Sequence, residues 1–241
     1  MTVLVPTMGA LHKGHQALIK RARELDKEVV VSIFVNPLQF TEAADLEKYP
    51  RTPEADIQIA TLAGATEVWF PTYEEIYPSE PIQISAGLVG DLYEGASRPG
   101  HFAGVLTVVN RLFEIVKPKA AVFGEKDFQQ LWLIKQQFKK LEIVPVPTVR
   151  EYDGLALSSR NVRLSESDRS AALIISQALK HPNQMAEILA TEPAFKLDYA
   201  EIIDEQTFKL ATAESKNKRA IIAGWVNGVR LLDNAVVENN S

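Results

Sequence analysis

Short apolar runs alternate with longer segments of helical spacing through the first 148 residues of the chain. The runs are nearly continuous and rich in β-branched residues, which is typical of strands covered on both faces. They predict strands at 3–5, 29–35, 67–70, 120–123 and 143–147, and the segments between them predict helices at 11–22, 53–62, 105–116 and 128–134. This alternation predicts an α/β fold with a doubly wound parallel sheet.

The pattern changes after residue 148. One helix is expected at 165–179, opened by a capping box from Ser165 to Asp168, and three strands are expected at 197–203, 219–225 and 229–237. Asn227-Gly228 between the last two strands is the strongest short signal for a hairpin. The chain is therefore expected to form two domains, 1–148 and a smaller α+β domain at 149–241.

Two segments of the first domain have an irregular pattern. Residues 74–81 carry two prolines among polar residues and predict a loop. Residues 91–104 lie in the most glycine-dense part of the chain and predict a mobile segment. That segment is either a substrate lid or a plain long connection.

Composition narrows the range of functions. A chain of 241 residues with 46% hydrophobic content can bury a full core, and a formal charge of −5 gives no basic field for nucleic acid. The absence of cysteine excludes disulfides, thiolate metal sites and a cysteine nucleophile. No apolar stretch approaches the roughly 18 residues that cross a bilayer, and no signal-peptide pattern precedes the first strand. We therefore expect a cytoplasmic protein that does not bind a membrane.

The turn after the first predicted strand carries two histidines three residues apart. His12 and His15 share one face of the first helical turn, with Gly14 between them. A helix start that follows a strand and a glycine turn presents unpaired N–H groups and is a natural seat for phosphate. An exposed polar pair or a metal pair would have the same spacing.

Two further turns follow predicted strands in the same way. Asn36 and Gln39 lie just past the second strand, where open α/β sheets bind ligands, although a surface turn would also use Asn36-Pro37. Lys126 lies at the next strand-to-helix turn, where a cation can bind phosphate, and Gln130 lies one helical turn beyond it. Asp127 can cap that helix or accept from a ribose hydroxyl.

A candidate anion site follows the domain boundary. Ser158, Ser159 and Arg160 offer two O–H donors and a bidentate guanidinium. The alternative interpretation is a helix cap beside an exposed arginine.

Seven motifs in one order carry a resemblance to a known family. They are 6–15, 32–40, 49–53, 101–109, 123–127, 154–161 and 230–234. Together the motifs resemble the pantothenate synthetases, or pantoate–β-alanine ligases, of the His-x-Gly-His nucleotidyltransferase superfamily. The resemblance implies a Rossmann-type nucleotide- and pantoate-binding domain at 1–148, a C-terminal lid domain at 149–241 and a homodimer.

The resemblance also implies a reaction in two steps. The carboxylate of (R)-pantoate attacks the α-phosphorus of ATP, and the amine of β-alanine then attacks the pantoyl adenylate. ATP is a substrate with Mg²⁺ on its phosphates, and no tightly bound organic cofactor is expected. No protein-bound metal site is carried over, because the stretch that some members use for magnesium is Glu54-Ala55-Asp56 here.

The site residues implied by the resemblance fall into three groups. The residues expected to stabilise the leaving pyrophosphate are His12, His15, Lys126, Ser158, Ser159 and Arg160, with His15 in the position of the proton donor. The ATP-contacting residues are Met8, Gly9, Ala10, Leu11, His12, Lys13, Gly14, His15, Gly124, Glu125, Lys126, Asp127, Val149, Leu157, Ser158, Ser159 and Arg160. Gln39 and Gln130 match the glutamines that hold pantoate, and Asn36 and Arg98 match positions near substrate.

Two rival functions remain at this point. One is a nucleotidyltransferase of the same superfamily that makes a nucleotide-activated product and stops there. The other is a module that binds ATP or pantothenate without turnover. The set of His12, His15, Lys126 and Arg160 argues against it, because such a module does not need to bind a leaving pyrophosphate.

Overall fold

The computed structural model describes residues 1–238. The chain folds into two compact units, Met1–Thr148 and the residues from Val149 onward, because residues within each unit lie close together in space. None of the helices in the described range is long and apolar enough to cross a membrane.

The first unit is built on a five-stranded parallel sheet. Its strands are β1 (Thr2–Thr7), β2 (Glu28–Ile33), β3 (Glu67–Trp69), β4 (Ala120–Gly124) and β5 (Glu142–Val146). Their order across the sheet is β3-β2-β1-β4-β5, and all the pairings are parallel. The strand order therefore reverses between β1 and β4, which is the topological switch point of a doubly wound fold.

Helices cover both faces of this sheet. They are α1 (Lys13–Leu25), α2 (Ala43–Glu47), α3 (Pro53–Ala63), α4 (Tyr73–Ile76), α5 (Glu94–Ser97), α6 (His101–Val116) and α7 (Phe128–Gln137). Side chains of alternate strand residues enter two separate cores, with Val3 and Val5 on the side of α1 and α3, and Leu4 on the side of α6 and α7. Burial on both faces explains why the strands are continuous apolar runs.

The second unit packs helices on one antiparallel sheet. α8 (Glu166–Leu179) and α9 (Met185–Leu189) precede β6 (Phe195–Asp204), β7 (Lys218–Val226) and β8 (Val229–Val237), which pair in that order. Asn227 and Gly228 both have positive φ, 46° and 76°, so β7 and β8 are joined by the predicted two-residue hairpin. The capping box from Ser165 to Asp168 is also present. The expectation of an α/β fold with a smaller α+β unit is confirmed.

Several local predictions were wrong. Residues 74–81 are not all loop, because Thr72 and Glu75 form a capping box that begins α4. The glycine-dense segment 91–104 is not a plain connection, because it contains α5 and the start of α6.

Candidate active site

The predicted phosphate-binding residues of the first unit lie at the carboxyl ends of β1 and β4. These strands are neighbours in the sheet. The loop after β1 enters α1 on one face of the sheet, and the loop after β4 leads to α7 on the other face. The loop after β1 leads to His12 and His15, and the 3₁₀ turn Glu125–Asp127 after β4 carries Lys126. The topology thus brings the two strand-to-helix turns to one edge of the sheet.

The loop after β1 is held in a left-handed turn by a distant carboxylate. Gly9 and Ala10 have φ of 86° and 50°, which turn the chain from the strand direction toward the helix. The backbone N–H of Ala10 donates to Asp56 Oδ2 at 3.0 Å, and that of Leu11 donates to Asp56 Oδ1 at 2.7 Å. Asp56 is 1% exposed and lies in the first turn of α3.

His12 and His15 form a reciprocal capping box at the start of α1. His12 Nδ1 accepts from the N–H of Gly14 at 3.1 Å, and His15 Nδ1 accepts from the N–H of His12 at 3.2 Å. A nitrogen that accepts from a backbone N–H cannot itself carry a proton, so each neutral ring has its proton on Nε2. Both imidazoles therefore have an N–H donor at Nε2, the ring nitrogen farther from the backbone.

The environment keeps these rings neutral. Burial, with the charge of Lys126, lowers the pKa of His12 to about 4, and burial together with His12 lowers the pKa of His15 to about 3. The ring centroids are 4.1 Å apart, so protonation of one ring would oppose protonation of the other. At neutral pH the pair consists of two neutral N–H donors.

Lys126 supplies the cation of this cluster. Its ammonium acts on the titration of both histidines, and its Nζ lies 3.2 Å from Asp127 Oδ1. Asp127 does not cap α7 with its side chain, so the capping interpretation is wrong. Two neutral N–H donors and an ammonium near one helix N-terminus form an arrangement suited to an anion rather than to a metal ion.

Gln39 is oriented by a buried amide. Asn36 is 0% exposed, and its Nδ2 donates to Gln39 Oε1 and to the carbonyl of Gly104, each at 3.1 Å. Its Oδ1 accepts from Tyr77 Oη at 3.0 Å and from the N–H of Leu38 at 3.3 Å. These bonds use the hydrogen-bonding capacity of the Asn36 amide and orient Gln39, and the expected place of Asn36 near substrate stays a prediction.

The amide orientation of Gln39 follows from this contact. Because Gln39 Oε1 accepts from Asn36, its Nε2 is the donor end, and it lies 2.9 Å from Met8 Sδ in the loop after β1. The acid-binding candidate therefore contacts the phosphate-binding candidate loop directly.

Arg98 and His101 both bind the backbone carbonyl of Gln39. His101 Nδ1 lies 2.7 Å from the Gln39 carbonyl, and Arg98 Nη2 donates to the same carbonyl at 3.3 Å. His101 must donate there through Nδ1–H, which leaves Nε2 to accept from Arg98 Nη1 at 3.2 Å. Burial, with the charge of Arg98, lowers the pKa of His101 to about 4. Arg98 thus contacts the Gln39 backbone, and its expected place near substrate stays a prediction.

The two adjacent glutamines of α7 differ in their surroundings. Gln129 is buried and pins the glycine-dense segment, since its Nε2 donates to the carbonyls of Val89 and Leu92 at 2.8 Å and its Oε1 accepts from the N–H of Glu94 at 3.2 Å. Gln130, the predicted pantoate residue, is half-buried. The side chain of Gln129 thus binds the backbone at the start of the segment predicted as mobile, whose mobility stays a prediction.

The remaining predicted residues lie together in the second unit. The N–H of Leu157 donates to the Val149 carbonyl at 3.0 Å, which closes a hairpin that ends at Ser158. Ser158 caps the 3₁₀ turn Ser159–Arg163, because its Oγ accepts from the N–H of Arg160 at 3.2 Å. The capping interpretation is confirmed for Ser158, and its O–H proton stays available for donation to an anion.

An ion pair fixes the base of this hairpin. Arg150 binds the buried carboxylate of Asp233 with both guanidinium ends, Nη2 to Oδ1 at 3.0 Å and Nη1 to Oδ2. Arg150 also donates to the carbonyls of Gly154 and Asn234, at 3.1 and 3.3 Å. The motif at 230–234 therefore has a local structural purpose in β8.

Sequence reasoning missed the residues that act through others. These are Asp56, Tyr77, His101, Gln129, Arg150 and Asp233. His101 and Asp233 lie in motifs that carried the resemblance, so a signal for them existed. Asp56 was considered only as part of the stretch that some family members use for magnesium, and its contact with the loop after β1 was not predicted, because acids are common in the first turn of any helix.

Comparisons with known proteins identify the family to which the chain is similar. The family model described as pantoate-beta-alanine ligase matches residues 1–236. The chain is 49% identical to the pantothenate synthetase of Saccharopolyspora erythraea over 97% of this chain and 83% of that protein, and 44% identical to that of Rubrobacter xylanophilus over 97% and 90%.

Solved structures give the same result. A crystal structure of pantothenate synthetase from Thermus thermophilus has a TM-score of 0.91 and 42% identity, covering 97% of this chain and 92% of that one. The pantoate-beta-alanine ligase of Francisella tularensis, complexed with beta-gamma ATP and beta-alanine, has a TM-score of 0.84 and 37% identity, covering 98% and 89%. The chain belongs to the pantoate-beta-alanine ligase family.

Proposed function

We propose that the residues described above carry the reaction of this family, the ATP-dependent joining of pantoate to β-alanine through an acyl adenylate. The observation that carries the proposal is the tautomer of the two histidines. Both Nδ1 atoms accept from the backbone, so both Nε2–H groups are donors beside the Lys126 ammonium at the switch point. Such a set fits the negative charge of a triphosphate.

In the first step a pantoate carboxylate oxygen attacks the α-phosphorus of ATP, and the bond from that phosphorus to the bridging oxygen of pyrophosphate breaks. Charge accumulates on the leaving pyrophosphate. His12 and His15 donate to it from Nε2, and Lys126 neutralises it. Because His15 is neutral, it stabilises the leaving group as a hydrogen-bond donor rather than as an imidazolium.

The acid is held by neutral amides. Gln39 and Gln130 offer N–H donors to the pantoate carboxylate and hydroxyls without a fixed charge that would hold the attacking carboxylate too tightly. Asn36, Arg98 and His101 keep Gln39 in place. In the second step the amine of β-alanine attacks the acyl carbon, its nitrogen loses a proton, and the carbon–oxygen bond to AMP breaks.

Magnesium enters as part of the substrate, MgATP. The candidate donors are the N–H groups of His12 and His15 and the Lys126 ammonium in the turn after β4, which bind phosphate oxygens and leave the magnesium ion to the phosphates. Among residues 1–238 there is no group of three His, Asp or Glu side chains that could hold a metal ion.

Residues 149–241 are proposed to act as a lid domain. Ser158, Ser159 and Arg160 offer hydroxyl and guanidinium donors of the type that binds phosphate, and Val149 and Leu157 flank them in the hairpin. A cytoplasmic homodimer completes the proposal, supported by the family resemblance alone.

Exchange of labelled pyrophosphate into ATP tests the proposal. The purified protein should catalyse exchange only when pantoate is present, and adding β-alanine should produce AMP and pantothenate. Lys126→Ala should lower the exchange rate by about 1,000-fold, because it removes the cation beside the leaving group. Lys135→Ala, which alters an exposed lysine on the helix that follows Lys126, is the matched control and should leave the rate unchanged. Exchange that needs a different acid, or ATP binding without AMP formation, would contradict the proposal.

A further inference from the structure

The loop that presents the two histidines depends on one carboxylate from another helix. Asp56 is the acceptor for two successive backbone N–H groups, Ala10 and Leu11, and it receives the Thr52 hydroxyl at 3.2 Å on Oδ1. Its two oxygens are thus engaged inside the protein at 1% exposure. The residue directly after these N–H groups is His12.

The turn held in this way is a conformation that the backbone does not choose by itself. Gly9 and Ala10 are consecutive residues with positive φ, and alanine rarely adopts φ near 50°. Strained residues of this kind persist only where the surroundings over-determine them. A Cβ at Gly9 would lie 3.0 Å from Asp56 Oδ2 and 3.0 Å from Ile33 Cγ2, so the turn is also packed closely against the carboxylate.

The same contacts argue against a metal at this position. Carboxylate ligands of magnesium need an oxygen directed at the cation and at the waters that it keeps. Here Oδ1 faces an N–H and a hydroxyl, and Oδ2 faces an N–H. Glu54, two residues earlier, is exposed and does not share these contacts.

We infer that Asp56 is a positioning residue that fixes the left-handed turn at Gly9-Ala10 and thereby the Nε2–H donors of His12 and His15, and that it is not a magnesium ligand. The inference rests on the proposed function for its effect on turnover. Its effect on the loop itself does not depend on that function.

Asp56→Asn is the first variant to measure. Asparagine keeps the size of the side chain but has one acceptor oxygen, so its NH₂ group would face one of the two backbone N–H groups. We expect kcat to fall about 100-fold, as for a small misplacement of catalytic groups, while the Mg²⁺ concentration for half-maximal rate stays unchanged. In EDTA without nucleotide, thermal unfolding of the variant should occur several degrees lower than in the parent protein. Glu54→Gln removes the same charge from the same helix and should change none of these values.

Rescue at position 10 separates positioning from general stability. Glycine adopts positive φ without steric cost, so Ala10→Gly in the Asp56→Asn background should recover part of the lost kcat. The losses from Asp56→Asn and His12→Asn should not multiply when the two are combined, because both act through the same donor. If Asp56→Asn fails to fold, Thr52→Val leaves the carboxylate in place and should lower kcat about threefold, the effect of one weakened hydrogen bond.

Two results would overturn the inference. One is an Asp56→Asn protein with undiminished kcat. The other is a raised Mg²⁺ requirement together with an unchanged unfolding temperature in EDTA, which would identify a metal ligand. If the parent protein shows no pantoate-dependent exchange, the proposed function fails, and the unfolding data in EDTA still test the loop.

Discussion

The two segments proposed to bind the triphosphate are fixed in different ways. In the first unit the candidate ligand groups also build the helix start, because His12 and His15 cap α1 with Nδ1 and have their N–H donors at Nε2. In the second unit the hairpin is held by Arg150 and Asp233, which are not candidate ligand groups. Ser158 also caps the turn that carries Ser159 and Arg160. Structure and chemistry are therefore coupled in the first segment, whereas in the second the support of the hairpin is separable from the candidate ligand groups.

The largest expected effect uncouples the two roles of His12. Asparagine is a good N-cap and keeps an acceptor where Nδ1 lies, but it is too short to place an N–H where Nε2 lies. His12→Asn should lower kcat by at least about 100-fold and leave the unfolding temperature nearly unchanged. His12→Ala should lose the same activity and also about 1 kcal/mol of stability. Steady-state kinetics and thermal unfolding measure the two effects, and equal stability of both variants would contradict the coupling.

The corresponding change in the second unit should act mainly on stability. Asp233→Asn removes the carboxylate that binds Arg150 and leaves a guanidinium beside a neutral amide. We expect a loss of about 1–3 kcal/mol in the free energy of unfolding, with kcat reduced by no more than about tenfold. Urea denaturation measures the first value. A kcat loss as large as that of His12→Asn, in a protein of parent stability, would show that Asp233 is not merely a support.

A smaller effect is expected at the acid-binding side chain. Tyr77→Phe removes one of the two donors to Asn36 Oδ1 without changing its packing, so Gln39 should be held less firmly. The KM for pantoate should rise about threefold to fivefold, while the KM for ATP stays the same. Tyr73→Phe, at the neighbouring tyrosine whose ring lies 5.1 Å away, is the matched control. Equal changes in both KM values would argue against a role specific to the acid.

The smallest effect is the pH response between pH 6 and 8. His12, His15 and His101 have pKa values of about 4, 3 and 4, so kcat should show no histidine titration in that range. As the pH falls, the same imidazoles bind protons near pH 6.5 in the unfolded chain, whereas in the folded protein they bind protons only near pH 4 or below. Their contribution to stability is therefore complete above pH 6.5 and is lost progressively as the pH falls toward 4. Unfolding temperatures from pH 8 to 4.5 measure this slope, and His15→Gln, which keeps the capping acceptor, should make it shallower.

The sequence was sufficient for what depends on near neighbours. Apolar period, capping pattern and hairpin turn predicted the strands, the helix at 166–179 and the Asn227-Gly228 turn. The capping box at Thr72 and Glu75 had the same kind of signal and could have been found. What stayed unpredicted depends on contacts across the fold, since Asp56 lies 46 residues from Ala10 and Asp233 lies 83 residues from Arg150.

Glycine shows the limit most clearly. Gly104 was assigned to a flexible segment, yet it lies inside α6, where its carbonyl receives Asn36. A methyl group at that position would come within 2.2 Å of the Leu38 carbonyl oxygen. Without the neighbour across the fold, a glycine that permits close approach has the same appearance in sequence as one that permits motion.

This close approach has a consequence for attempts to broaden the acids that the protein accepts. Helix α6 and the turn at Pro37–Gln39 meet backbone to backbone at Gly104, so no trimming of side chains can draw the turn inward. Any residue larger than glycine at position 104 would push Gln39 away from α6. It would also displace the loop after β1, because Met8 in that loop contacts Gln39. Redesign for a bulkier acid would therefore have to begin at side chains other than those that meet at Gly104.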